Sequence, residues 1–332
     1  MKPGFYRLLF GFLSLTISFF LVACQAPTPT VKPGELTPAP PTISPTKEKV
    51  VSPTPIVLKD GVGKTITLTT PAKRIVSLAP SNTEILFAIT AGSQVVGRDN
   101  YSDFPPEALQ VTDIGGGFGK LDAEAILALQ PDLVMASSLT PPEQVQALRD
   151  LGLTVFTLTN PNDLPGMYIN LLTVATLTGH EEDAKTLIAN LDQRVNAVQT
   201  KMAKVTERPL VFYEIDSTDP NAPWTAGAGT FIDTLISMAG GENLGKVLKG
   251  EWAQISIEAL IKEDPDIILL GDAFWGGVTP EAVAARSGWD ALGAVKNGQV
   301  YPFDDNLVSR PGPRLVDGLE ALAKFLHPEL FQ

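Results

Sequence analysis

The chain has 332 residues, 44% of them hydrophobic, and carries 25 Lys and Arg against 37 Asp and Glu, a formal net charge of −12. Without a basic cluster to displace counterions, it is no ordinary nucleic-acid binder. A single cysteine and two histidines argue against a disulfide framework and against a zinc or haem-iron site of the usual ligand set.

The first segment pairs a short cationic head (Lys2, Arg7) with an almost wholly apolar run, residues 8–23. That run falls short of the roughly 20 residues a spanning helix needs and has the layout of an export signal. Leu21-Val22-Ala23-Cys24 resembles a bacterial lipobox, in which the cysteine becomes the lipidated first residue. Residues 1–23 are therefore expected to be a lipoprotein signal peptide and Cys24 the lipidation site, with no thiol left for other chemistry. Residues 24–55 follow as a stalk. Nine of residues 25–55 are proline, a composition that favours extended polyproline II at about 3.1 Å per residue.

The remainder is long enough for two lobes. Strands are expected at 74–78, 94–97 and 153–157, with helices at 81–91 (closed by Gly92) and 142–151. Residues 180–205 contain no Gly or Pro and place Ala184, Leu187, Ile188, Leu191, Val195 and Val198 near helical spacing. One helix of that length would span roughly 39 Å and act as a stiff spine that limits hinge motion. Beyond it come strands at 210–215 and 300–303 and helices at 230–239 and 314–326. The alternation predicts an α/β fold with mostly parallel sheets: a lobe over 56–179, the spine over 180–205 and a second lobe over 206–332.

An internal repeat supports two similar lobes. Leu121-Asp122-Ala123-Glu124-Ala125-Ile126-Leu127 leads to Pro131-Asp132-Leu133-Val134, and Ile255-Ser256-Ile257-Glu258-Ala259-Leu260-Ile261 leads to Pro265-Asp266-Ile267-Ile268. Each copy reads as a helix capped by Asp122 or Ser256, with a glutamate in its first turn, then a Pro-Asp turn and a buried strand.

Tyr101-Ser102-Asp103-Phe104-Pro105-Pro106, the Glu124…Pro131-Asp132-Leu133-Val134 segment, the spine and Gly240-Gly241-Glu242-Asn243 occur in this order. Over roughly residues 56–330 the chain resembles the substrate-binding proteins of ABC importers for ferric siderophores, haem and cobalamin, with local echoes closest to cobalamin-binding members. The resemblance implies two Rossmann-like α/β lobes joined by one long rigid helix, with a ligand cleft between them. It also implies a monomeric, lipid-anchored receptor outside the cytoplasmic membrane, working with a permease and its ATPase and holding no cofactor beyond a transported metal chelate. A corrinoid is the expected ligand, a ferric siderophore or haem the alternative. Two surface glutamates of the family dock the permease. The first carries over to Glu124; the family motif gives Glu242 as the second, whereas the repeat points to Glu258. Glu242 is the expectation adopted here.

Ligand-binding candidates come from loops expected at strand carboxyl ends. They are Arg98, Tyr101 and Phe118 in the first lobe, and Tyr213, Glu214, Trp224, Trp252, Asp304, Asp305, Asn306 and Arg310 in the second. Tyr101 and Phe118 match aromatic positions around cobalamin in the family. Flat aromatic walls suit a large, partly apolar macrocycle, although core packing is the plain alternative for each ring. Trp275, beside Gly276-Gly277, reads as a further wall or a loop anchor. An anionic ferric siderophore would instead recruit Arg98, Arg310 and Arg314. Gly61-Val62-Gly63-Lys64-Thr65 lacks the earlier P-loop glycine and reads as a β-hairpin, and Gly115-Gly116-Gly117 opens no dinucleotide fingerprint. An exported lipid-anchored hydrolase would need a nucleophile–base pair, and adjacent Asp304 and Asp305 point apart on an extended strand end. The chain is therefore expected to bind rather than catalyse. A purely adhesive protein would account for the stalk but not for paired lobes.

Overall fold

The structure, a computed structural model, describes residues 54–117 and 119–331. Cys24, the export signal and nearly all of the stalk lie outside the described residues, as does Phe118.

The chain enters through an antiparallel hairpin, β1 (Ile56–Lys59) and β2 (Thr65–Leu68), so the Gly61–Thr65 decoy is a hairpin turn. Asp60 organises it: Oδ1 accepts from the backbone N–H of Val62 and Lys64, while Oδ2 pairs with Arg149 at 2.6 Å. The first sheet follows. It comprises β3 (Ile75–Ser77), β4 (Val95–Arg98), β5 (Thr112–Asp113), β6 (Leu133–Ser137) and β7 (Val155–Leu158), in the order β5-β4-β3-β6-β7 with every pair parallel. Its helices are α1 (Pro80–Ala88), α2 (Ala123–Ala128), α3 (Pro142–Asp150) and α4 (Leu164–Thr178).

Helix α5 (Glu181–Met202) is the spine, 22 residues and so roughly 33 Å long. It is tied to both lobes. At its start His180 and Asp183 bond Thr90, and Gln94 reaches His180. Further along, Arg194 forks onto Asp317 (2.5 Å) and Glu320 (2.8 and 2.6 Å). One continuous apolar core joins Ile75, Met135 and Phe156 of the first lobe to Val211, Leu269 and Leu319 of the second, passing through Leu191, Val195 and Val198 of α5. A shared core of this kind resists hinging far better than a crossover of loops.

The second sheet comprises β8 (Leu210–Asp216), β9 (Trp224–Ala226), β10 (Glu242–Asn243), β11 (Trp252–Gln254), β12 (Ile267–Leu270) and β13 (Val300–Pro302). Its order is β11-β9-β8-β12-β13, with β10 parallel to the start of β8. The sheet is mostly parallel, as expected, and the exception is β9, which runs antiparallel to both β8 and β11. Residues 217–223 are too few for a crossover, which needs a dozen or more, so the chain turns back beside β8. The helices are α6 (Phe231–Met238), α7 (Ile257–Glu263), α8 (Ala273–Gly276), α9 (Pro280–Ala284), α10 (Gly293–Lys296), α11 (Asn306–Ser309) and α12 (Leu315–Leu326).

The repeat is structural down to single dihedrals. Asp122 caps α2 and Ser256 caps α7. Gln130 (φ 47°) and Asp264 (φ 49°), each directly before its proline, both take the left-handed conformation. The following aspartates pin the neighbouring central strand: Asp132 accepts from Lys73 and Arg74 N–H, and Asp266 from Leu210 N–H. Helix α4 was not expected. Its apolar residues run right round it, including exposed Ile169 and Leu172, so no amphipathic period marks it.

Candidate functional site

The carboxyl ends of the two sheets meet across an ionic seam. Arg310, beyond β13, places Nη1 2.5 Å from Asp103, in the loop after β4, and 3.3 Å from Glu84 of α1. Arg314 forks onto the same glutamate, with Nε to Oε2 at 2.9 Å and Nη2 to Oε1 at 2.5 Å, and its guanidinium lies 4.0 Å from the centroid of the Phe104 ring. Two prolines stiffen the intervening Pro311-Gly312-Pro313, and Gly312 packs beside the Ser81 carbonyl. The Glu84 side chain is 1% exposed, and burial pushes its carboxyl above the usual range although both guanidiniums hold it down. Thr234 of α6 adds a second bridge by donating to Asn162 O, in the loop after β7, at 3.1 Å. Sequence reasoning missed Glu84 and Asp103. The available signal was a lone carboxylate in the otherwise uncharged helix α1, Pro80–Ala88.

Behind the seam, Tyr213 is wholly buried and donates its hydroxyl to Asp305 Oδ1 at 2.7 Å. It is therefore not a ligand wall, contrary to expectation. Its place in the middle of the central strand β8 leaves the ring in the core, edge-on to Phe303. Burial raises the Asp305 carboxyl. Asp304 accepts from the backbone and side-chain amides of Asn306, and both aspartates are only half-buried beside Arg310. Glu214 is also no cleft residue: it is buried on the other face of β8 in a two-pronged pair with Arg286, at 2.6 and 2.9 Å.

Arg98 is corrected as well. Only 7% exposed, it donates to Ala108 O (3.0 Å) and Asp99 O (2.9 Å) and lies 3.5 Å from Asp113. Its donors knit the loop after β4 rather than facing a ligand. All three arginines reserved for an anionic siderophore are thus engaged within the protein.

The exposed surface around the seam is aromatic. Tyr101 is 47% exposed and Phe104 39%. The Tyr101 ring rests on Gly117: a Cβ there would lie 2.3 Å from two ring carbons, and the φ of 61° already favours glycine. The Gly-rich loop is therefore a cradle for an aromatic ring. In the second lobe Trp224 is 41% and Trp252 46% exposed. Trp252 pairs with Ala226, two residues from Trp224, so both indoles project from one face of the β9–β11 ribbon as diagonal neighbours. Trp252 is backed by Phe231 at 5.9 Å. Trp275 is exposed on α8.

Glu124 and Glu258 occupy equivalent exposed positions in the first turns of α2 and α7. Both helices start at the carboxyl ends of their sheets: Leu121 N–H bonds Gln144 at the start of α3, and Ile257 N–H bonds Asn221 in the β8–β9 loop. The Glu258 carboxyl is held low by its own backbone N–H and by the Ser256 hydroxyl. Glu242 stands opposite Leu210, the first residue of β8, at the amino end of the sheet. Glu242 therefore does not share a sheet end with Glu124, as Glu258 does.

His180 and His327 sit along the spine and at Gly240, away from the seam. Among the described residues no group of three His, Cys, Asp or Glu is arranged to hold a metal ion, and no helix is long and apolar enough to cross a membrane.

Comparison with known proteins agrees with this architecture. An uncharacterised ABC transporter substrate-binding lipoprotein, YvrC of Bacillus subtilis, is 32% identical over 283 residues, covering 84% of this chain and 87% of its own. A vitamin B12-binding protein of Vibrio cholerae is 29% identical over 261 residues, covering 77% of this chain and 90% of its own. Among solved structures, the V. cholerae vitamin B12-binding protein BtuF superposes with a TM-score of 0.66 at 28% identity, covering 79% of this chain and 99% of its own. The haem-binding protein RhuT of Roseiflexus superposes with a TM-score of 0.71 at 27% identity, covering 78% and 99%. The profile of the periplasmic binding protein family matches residues 75–307, and the chain belongs to that family.

Proposed function

We propose that this chain is the extracytoplasmic substrate-binding lipoprotein of an ABC importer, anchored through Cys24, and that it captures a corrinoid and hands it to the permease. One observation carries the choice of ligand: aromatic side chains are exposed around the seam while Arg98, Arg310 and Arg314 are all engaged by protein acceptors. A ferric siderophore complex that is anionic would have to break a buried ion pair to find a cation, which costs several kcal/mol. A corrinoid offers a broad partly apolar face to Tyr101, Trp224 and Trp252, and its amide side chains can donate to Asp304 or Asp305. The B12-binding relatives support the same reading, and the haem-binding structure keeps haem as the alternative.

Ligand leaves such a receptor through the cleft mouth, so the permease must face the carboxyl ends of the sheets. That favours Glu124 and Glu258 as the docking pair, each offering a carboxylate to a basic pocket on the permease. The test is a thermal-shift panel on the full-length protein with cyanocobalamin, cobinamide, haemin and ferric siderophores. Ligand at a hundred times Kd adds about 2.7 kcal/mol, or roughly 5–10 °C for a domain pair of this size. A shift with siderophores alone would overturn the corrinoid assignment.

A further inference from the structure

Two adjacent aromatic side chains stand largely outside the core. Phe274 is 70% and Trp275 60% exposed, both on α8 immediately after β12. Large aromatics are seldom left this bare beside each other unless something covers them. Their exposure is not that of a loose loop, because the base of the turn is locked. Asp272, 1% exposed, accepts at Oδ2 from Ser217 N–H (3.0 Å) and Ser217 Oγ (2.5 Å). Arg286 donates to Ser217 Oγ (2.7 Å) and to Glu214, and stacks 4.5 Å from the Trp289 ring. Ala273 and Val278, the feet of the turn, pack on the outer core of the second lobe.

The turn also rises from the floor of the seam. Gly271 bonds Glu214 O and lies so close to Tyr213 that a Cβ would sit 2.8 Å from its hydroxyl, the group that holds Asp305. In the sheet, β12 lies between β8, whose following loop leads to Trp224, and β13, whose following loop carries Asp304 to Arg310. Two strand spacings of about 4.8 Å separate β12 from β9. Trp224 pairs with Asp216, the last residue of β8, so the turn after β12 and the Trp224–Trp252 ribbon both stand at the carboxyl end of the same sheet, on either side of it.

We propose that Phe274 and Trp275 form a third aromatic element of the ligand site, held out by the Asp272–Ser217–Arg286 lock and covering a face of the bound macrocycle that Trp224 and Trp252 leave open. This inference rests on the reading of the cleft as a macrocycle-binding site. The lock keeps the two rings pre-positioned, so that little ordering is needed on binding.

The test compares full-length wild type, Phe274→Ala/Trp275→Ala, and the conservative pair Phe274→Tyr/Trp275→Phe in titrations with cyanocobalamin and haemin. Each is paired with a measurement of permease ATPase stimulation. Because both rings are exposed, the melting temperature should stay at the wild-type value. The double alanine variant should bind the wild-type ligand roughly tenfold or more weakly, the loss expected of a desolvated aromatic contact, and the conservative pair should restore affinity. Wild-type affinity in the double alanine variant overturns the inference alone, and wild-type affinity with lost ATPase stimulation reassigns the rings to the permease surface. Failure of the wild-type chain to bind either macrocycle overturns the ligand reading and this inference with it.

Discussion

Replacing Glu84 by Gln tests whether the two lobes are held by the seam. The substitution keeps size and shape but leaves two guanidiniums, on side chains only 14% and 12% exposed, facing a neutral amide. Removing one partner of a buried ion pair costs 3–5 kcal/mol. Arg310 retains Asp103 and Arg314 retains the Phe104 ring, which places the loss at the low end, about 3 kcal/mol. At 2–4 °C per kcal/mol for chains of this size, the melting temperature should fall by roughly 6–12 °C. A double-mutant cycle with Arg314→Met, read by thermal or denaturant unfolding, should return part of that loss as a coupling energy of about 1–3 kcal/mol. A Glu84→Gln variant melting within about 1 °C of wild type, with no coupling, would refute the claim that this carboxylate clamps the lobes.

Buried Asp99, Glu214 and Asp305 all have carboxyls raised by desolvation. The folded state therefore binds protons that the unfolded chain has released, so stability falls as pH rises from the ordinary values of 3.8 and 4.5 through the raised ones. Denaturant melts over this range should show that slope at high salt, and Asp99→Asn should flatten it; a slope abolished by salt alone would assign it to net charge. Gly117→Ala forces a Cβ into the Tyr101 ring at a positive φ, and should cost about 1–2 kcal/mol and weaken ligand binding in fluorescence titrations. Equal binding would free Tyr101 from the site. Arg98→Lys should lower stability while ligand affinity changes less than about threefold, since its donors are spent on the loop after β4. The double variant Glu124→Ala/Glu258→Ala should bind ligand normally yet fail to stimulate the permease ATPase, whereas Glu242→Ala should be silent; the reverse pattern would restore Glu242 as the docking carboxylate.

Much of the architecture was legible because local rules and packing agree. The spine could be read from a Gly- and Pro-free run with helical spacing. The repeat could be read because each Pro-Asp turn does one specific job, pinning the neighbouring strand. Helix α4 escaped because a helix apolar on every side has no period, and β9 and β11 because strands of three residues leave almost no pattern. At the site, residue type was visible but partner was not. Arg98 looks like a ligand cation until the Ala108 carbonyl is seen beside it, and Tyr213 looks like a wall until its hydroxyl meets Asp305. The seam joins residues 226 and 230 positions apart, Glu84 with Arg310 and Arg314, and no local pattern links them. The equivalence of Glu258 with Glu124 was legible in the repeat itself, which tracks position within the lobe.

The most direct test of the account is calorimetric titration of the full-length protein with cyanocobalamin and, in parallel, with an anionic ferric siderophore. The account predicts one-to-one, submicromolar binding of the corrinoid, weakened by Trp252→Ala and indifferent to Arg98→Lys, and no measurable heat with the siderophore. Tight siderophore binding that disappears in Arg310→Ala, with no corrinoid binding, would contradict it.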